Sequence, residues 1–247
     1  ITIIESDCTA TDAEMIFSHC GYYELAEEKK VNLINLSKEP TLTYEGYRLP
    51  KALFSNHVLI NIPKIKTMDL TVVSCSLKNL FGLIPSRHRA KYHKRISDTI
   101  VDLNRVFRSD LIVVDGLIGM EGDGPLWGRP VGMVVVVAGD NPVVVDSVIC
   151  NIIGVNPQDI YHIMMAADAG LGQTDIHSIN LLGERLENVR RSFALPSTIP
   201  LRRKLRYQMV EHSEMAVLRQ AVGILRWLRR KKYSRDTRFR NLVSQKE

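Results

Sequence analysis

Short β-branched runs alternate with helix-periodic segments through the first 183 residues of the chain. Ile1–Glu5 reads as a strand, the segment from Asp12 to Lys30 as a helix, Val31–Leu36 as a second strand and His57–Ile62 as a third. A further helix is predicted over His88–Phe107. The run LIVVDG, closing on Asp115 and Gly116, has the length and composition of a buried strand that reaches a functional edge, and VGMVVVVAG near Val131 reads as another buried strand. Asn141-Pro142 and Asn156-Pro157 each set a capping asparagine before a first-turn proline. They predict one helix ending near Gly154 and a second closed by Gly170-Leu171-Gly172, after which Ile176–Leu182 is expected to return as a strand. The alternation predicts an α/β fold, a layered sheet with flanking helices.

Beyond Pro196 and Pro200 the pattern changes, which divides the chain into an α/β domain over 1–195, a linker over 196–200 and a basic amphipathic tail over 201–247. One or two helices are predicted in the tail, over Leu201–His212 and then Ser213–Tyr233. The second carries Met215, Leu218, Val222, Leu225 and Leu228 at helical spacing. The net charge of +6 hides an asymmetry, because the tail holds 14 Lys/Arg against 4 Asp/Glu while the preceding residues hold 19 against 23. Trp227, with the basic run Arg229, Arg230, Lys231 and Lys232 behind it, suits an interfacial helix at an anionic membrane surface. The same stripe suits packing on its own domain or on a twin subunit, giving a homo-oligomer. Nucleic acid fits less well, since no aromatic stacking platform accompanies the charge.

With 247 residues and 45% hydrophobic content the chain can bury a substantial core. Its opening on Ile1, directly into a strand, is the look of a fragment or processed chain. Cys8, Cys20, Cys75 and Cys150 lie far apart with no C-x-x-C pair, so neither a zinc or iron–sulfur cluster motif nor a disulfide framework is indicated, and free thiols in a cytoplasmic setting are expected. No apolar run approaches the roughly 18 residues of a membrane span. The expected location is cytoplasmic, peripheral to the membrane where the tail engages it.

Candidate chemistry lies in the central stretch, where NIPKIKTMDLT, SLKNLFGLIPSRHRAKYH and VVDGLIGMEGDGPLWG follow one another. Lys64, Lys66, Lys78 and Asn79, followed by Arg87 and His93, offer movable point charges and a fixed guanidinium fork suited to a carboxylate or phosphate. Asp115, Glu121, Asp123 and Asp146 are the complementary carboxylates; Asp146, on an apolar helix face, needs partners whether it meets a ligand or only braces the fold. Gly122 and Gly124 lie in a glycine-rich turn able to approach an anion through its backbone, and Trp127 there either walls a pocket or stiffens the turn. Their spacing, G-x-G-x-x-x-G, is not the dinucleotide fingerprint, and there is no Walker lysine with its Ser/Thr. A metal site would have to enlist His93 with Glu121, Asp115 or Asp146, which show no local ligand spacing, so no metal and no cofactor is assigned.

These three motifs, in this order, resemble the family catalogued as domain of unknown function 362, over about Ile1 to Gly183. The resemblance implies an α/β fold and a candidate site more than a reaction. Members usually carry a Lys-Pro-Asn segment upstream of the point where this chain begins, and some are fused to ferredoxin-like four-iron modules, for which this sequence has no ligands. Their first basic motif usually reads Lys-Thr-His; here it is Lys66-Thr67-Met68, and a thioether does no acid–base work. Either His93 supplies the imidazole, or the activity has changed.

Two functional classes follow. In the first, Lys64, Lys66, Lys78, Asn79, Arg87, Gly122, Gly124 and Asp146 line a pocket for a small anionic ligand, with His93, Glu121 or Asp115 moving a proton in acid–base or redox-linked chemistry. In the second, the protein is a non-catalytic scaffold that docks to a membrane or partner through its tail. The first requires Lys66, Lys78, Arg87, Asp115 and Glu121 to share one cleft.

Overall fold

The structure, a computed structural model, describes residues 1–8, 11–55 and 58–197. The expected linker past Ser197 and the whole expected tail lie outside the described residues. Strand β1 (Thr2–Glu5) runs parallel to β2 (Asn32–Asn35), and the crossover between them holds α1 (Ala13–His19) and α2 (Tyr22–Lys29). Asp12 starts the first helix by accepting the Met15 amide at 2.7 Å. One helix was expected over Asp12–Lys30, but Gly21 adopts φ +73°, a left-handed conformation that ends a helical run.

A small hairpin, β3 (Thr41–Tyr44) and β4 (Tyr47–Pro50), precedes the main sheet. In that sheet β5 (Ile60–Asn61) and β6 (Lys64–Met68) lie one after the other, parallel to β8 (Leu111–Gly124). β7 (Val72–Ser74) pairs antiparallel with β6, and β9 (Trp127–Gly139) pairs antiparallel with β8. The fold is therefore α/β with flanking helices: α3 (Ser76–Asn79), α4 (Ser86–Arg89), α5 (Ile96–Val106), α6 (Pro142–Ile152), α7 (Tyr161–Asp168) and α8 (Leu186–Val189).

Three expectations fail here for local reasons. β8 does not end at Asp115 and Gly116 but continues to Gly124, so Glu121 and Asp123 sit on a hairpin arm instead of in a turn. The glycines serve close backbone packing: a Cβ on Gly124 would lie 2.3 Å from the Thr67 carbonyl oxygen, and one on Gly116 would lie 2.6 Å from that of Val135. β9 is not a buried strand, because among the described residues it pairs only with β8; Val134 is 83% and Val136 59% exposed, and Trp127, at 84%, walls no pocket. Ile176–Leu182 forms no strand. Asp175 caps a single 3₁₀ turn at Ile176–Ser178, and the Ser178 hydroxyl bonds to Gln173 and to the Asp175 carbonyl, local partners that compete with a ladder.

The two Asn-Pro signals do open helical segments. Asn141 accepts the Val143 and Val144 amides at 3.0 and 3.1 Å, starting α6; Asn156 accepts the Gln158 amide at 3.0 Å, starting a 3₁₀ turn that leads into α7. α6 packs on α3, α7 and β9, and α5 packs on α7 and α3. The core between them includes Ile100, Ile112, Ile149 and Ile163, all fully buried.

Inside that core Asp146 points from α6 at the start of α3, fully buried. Its Oδ1 accepts the Ser76 amide at 2.7 Å and the Ser76 hydroxyl at 2.5 Å, and its Oδ2 accepts the Leu77 amide at 3.1 Å. Burial pushes the carboxyl up to about 6, against the pull of these donors. Replacing Asp146 with Ala strands two buried amides, so Asp146→Ala should lose about 2–4 kcal/mol of unfolding free energy in urea titration. A loss below about 1 kcal/mol would mean that the carboxylate is not what holds α3.

Candidate functional site

β6 and α3 carry the basic residues singled out in the sequence, and the turn between them determines how those residues meet. Along β6, Ile65 and Thr67 are buried, Lys66 is half-buried and Lys64 is exposed. Met68, in the position where the resembling family usually has histidine, is 4% exposed and packs in the core. α3 has only four residues, too short to stand alone, and its carbonyls are gripped by side chains: Asn61 donates to Ser76 at 3.0 Å and Asn104 to Leu77 at 2.8 Å. Lys78 leaves this braced turn half-buried, with Nζ 5.5 Å from the centroid of Phe81. His93 stacks on the same ring, centroids 5.6 Å apart.

Lys66, Lys78 and His93 thus form a cluster, joined by a residue that the sequence reading passed over. Arg89 donates from Nε to the Ile84 carbonyl at 3.0 Å, and from Nη2 to the Ser6 hydroxyl and to the carbonyls of Gly82, at 3.1 Å, and Ile84, at 2.8 Å. Ser6 follows β1 directly, so the first strand feeds the same cluster. Arg87 sits two residues earlier. At about 100° per residue that offset reverses the helix face, and Arg87 bonds to the carbonyls of Ser37 and Glu39 instead. No spacing rule in SRHRAKYH chooses between the two arginines.

The cluster has no direct counter-ion among the described residues, although the charges of Glu5 and Asp7 act on it. Among the described residues neither Lys66 nor Lys78 makes an ion pair or side-chain hydrogen bond, and Arg89 meets no carboxylate within ion-pair distance. Burial holds the Lys66 ammonium below its usual range, with Glu5 opposing the shift and Lys64 adding to it. For Lys78, burial followed by the charges of Lys66 and Arg89 brings the value down to about 8. Burial, Lys78 and Arg89 lower His93 in turn. His162, on α7, was another omission. It is fully buried, its Nε2 has no partner among the described residues, and burial with the nearby Lys78 charge holds it at about 3. A histidine on an apolar helix face gives no sequence sign of such a neighbour.

The remaining residues have other engagements. Asn79 donates to Asn61 at 2.8 Å, bracing α3. Asp146 is taken up by Ser76 and Leu77 as described. Asp115 pairs with Lys64 at 2.8 Å, which holds its carboxyl below the usual range, and Lys64 also donates to the Ile118 carbonyl at 2.9 Å. Glu121 pairs with Arg129 at 3.0 Å and accepts the Ala194 amide at 2.7 Å. Gly122, at φ +84°, spends its amide on the Thr67 hydroxyl and the Ala194 carbonyl, and Asp123 accepts from Ser197. Gly124 presses against the Thr67 carbonyl. The glycine-rich arm is therefore clasped by residues 194–197, and its donors are spent there. Among the described residues no group of three or more His, Cys, Asp or Glu could hold a metal ion, and no helix is long and apolar enough to cross a membrane.

Comparison with known proteins gives a family and one relative. The model of the family described as domain of unknown function (DUF362) matches residues 1–151. A protein of Synechocystis sp. described as thylakoid-associated is 27% identical over 164 residues, which cover 64% of this chain and 51% of that protein. The match thus spans about half the length of the relative. No solved structure matches.

A buried, unpaired ammonium carries a stability consequence with a definite sign. Lys78 sits at about 8 in the fold against 10.5 when exposed, so the charged form opposes folding fully below about pH 8, and the penalty disappears as pH rises from 8 to 10.5. Lys78→Met should therefore raise unfolding free energy at pH 7 by about 1–3 kcal/mol, with the gain shrinking towards pH 10.5. A destabilised variant at pH 7 would show that the ammonium is satisfied in the fold.

Proposed function

The chain belongs to the family described as domain of unknown function 362, and on that premise we propose that Lys66, Lys78 and Arg89 bind a small anionic ligand, a carboxylate or phosphate. One observation carries the reading: two half-buried lysines stand beside a fixed arginine, and among the described residues no carboxylate pairs with any of them. A fold stabilises such an arrangement poorly without a counter-charge, and an anion entering a desolvated cluster gains more from each contact than it would at the surface. Arg89, held by the carbonyls of Gly82 and Ile84 and by Ser6, supplies fixed charge, while the two lysines supply movable donors.

His93 is the acid–base group of this reading. It is exposed, stacks on Phe81 beside Lys78, and is held below its usual range, so it is neutral at pH 7 and able to accept a proton from a bound ligand. Asp115 and Glu121 drop out of the proton-transfer role because Lys64 and Arg129 already claim them. Isothermal titration with phosphate, sulfate and citrate should detect binding that weakens with salt. Lys66→Ala and Lys78→Ala should each cost about 1–3 kcal/mol of it. Equal affinity in wild type and both variants would refute the site.

A second reading, peripheral attachment to an anionic membrane, is favoured by the thylakoid association named for the Synechocystis relative and by the 14 basic residues of segment 201–247. Vesicles rich in anionic lipid should co-sediment the full chain at low salt and release it as salt screens the lysines and arginines. Retention independent of salt, or equal binding to neutral vesicles, would exclude an electrostatic attachment.

A further inference from the structure

Anion binding leaves one property of the cluster unused, the nucleophilicity of an amine kept from pairing. We propose that Lys78 is a carbonyl-reactive amine, whose Nζ condenses with the aldehyde or ketone group of a small 2-oxo acid while Lys66 and Arg89 hold the carboxylate. This rests on the ligand-binding reading above and names the class of ligand that the same site would transform.

The geometry separates Lys78 from an ordinary lysine in three ways. Its stem rises from a turn braced at Ser76 and Leu77 by Asp146, Asn61 and Asn104, so the amine is delivered to one place. Its tip lies over the Phe81 ring and finds no acceptor among the described residues, so no carbonyl or carboxylate holds the proton on nitrogen. Two fixed or half-buried cations flank it, and each disfavours a third; the resulting value of about 8 leaves an appreciable neutral fraction at pH 7.5. Cations that depress an amine's affinity for protons are also what a substrate carboxylate needs.

The step balances without an oxidant or reductant. Attack by the nitrogen lone pair forms the C–N bond and, with one proton moving from nitrogen to oxygen, gives a carbinolamine. Loss of water, which carries off the carbonyl oxygen and both amine protons, breaks the C–O bond and leaves the imine. Proton movement in both halves needs a group that exchanges protons near neutrality. His93, which stacks on the same Phe81 ring as Lys78, would fill this role. The buried His162, whose Nε2 is unpartnered, adds a neutral neighbour that does not compete for the site's negative charge.

The test is reductive trapping on the full chain. With glyoxylate and cyanoborohydride at pH 7.5, peptide mapping should find the carboxymethyl adduct forming on Lys78 at least about tenfold faster than on the exposed Lys51 and Lys94. Excess phosphate should slow it, and its rate should level off above about pH 9 while the exposed lysines keep accelerating. Lys66→Ala should slow trapping of glyoxylate but not of formaldehyde, which has no carboxylate to hold. Lys78→Arg should abolish the preferred adduct. Labelling of Lys78 no faster than of Lys51, in protein that still binds phosphate, would overturn the amine chemistry and leave the anion site standing. Absence of phosphate binding together with undirected labelling would overturn both.

Discussion

The hydrogen bonds between the buried carboxylate of Asp146 and the start of α3 are the constraint from which the rest of the site follows. A four-residue helix has too few internal bonds to hold a position, and the amides of Ser76 and Leu77 would be left unsatisfied inside the core without an acceptor. One carboxylate takes both, and the Ser76 hydroxyl besides. Asn61 and Asn104 take the carbonyls of the same two residues. The turn is thereby fixed between β7 and the helices α5 and α6, and Lys78 emerges from it in one direction. A group that looks like a candidate ligand in the sequence turns out to be the mounting for one.

A second polar arrangement lies along the hairpin of β8 and β9. There Glu121, Gly122 and Asp123 are engaged by Ala194 and Ser197, while Thr67 bonds to both Gly122 and Ala194. Phe193, 6% exposed, closes the clasp against Gly119, where an added Cβ would come within 2.8 Å of its ring. The clasp is internally neutralised and spends its donors on its own backbone. The cluster of Lys66, Lys78 and Arg89 differs: among the described residues no carboxylate pairs directly with any of the three. Folding tolerates like charges in a low-dielectric setting only against the stability of everything around them.

That division also accounts for the depression of the two lysines and of His93. Each is shifted first by burial; Lys66 and Arg89 add to the shift of Lys78, and Lys78 and Arg89 to that of His93, whereas the largest neighbouring charge on Lys66 is that of Glu5, which opposes its shift. Glu5 and Asp69 oppose these shifts, but neither forms an ion pair with the cluster. A cluster of this kind suits a transient counter-ion better than a permanent one.

The sequence by itself determined the α/β class and the capping of α6 by Asn141 and singled out Lys66, Lys78 and His93 as candidates, because each of these is written locally. Periodicity reports which face of an element meets the core, cap residues report where helices begin, and a basic residue beside glycine and proline turns reports an exposed or functional edge. Which residues share a site was decided only by the tertiary structure. Arg87 and Arg89 are indistinguishable in SRHRAKYH until the helix face is known, and Asp146 is equally plausible as ligand or brace until α3 is packed against it. The glycines of β8 look like a turn when read singly, whereas Thr67 and Val135 press against them from strands distant in sequence. Pairing, burial and charge compensation are properties of side chains that the chain brings together from far apart, and no local pattern encodes them.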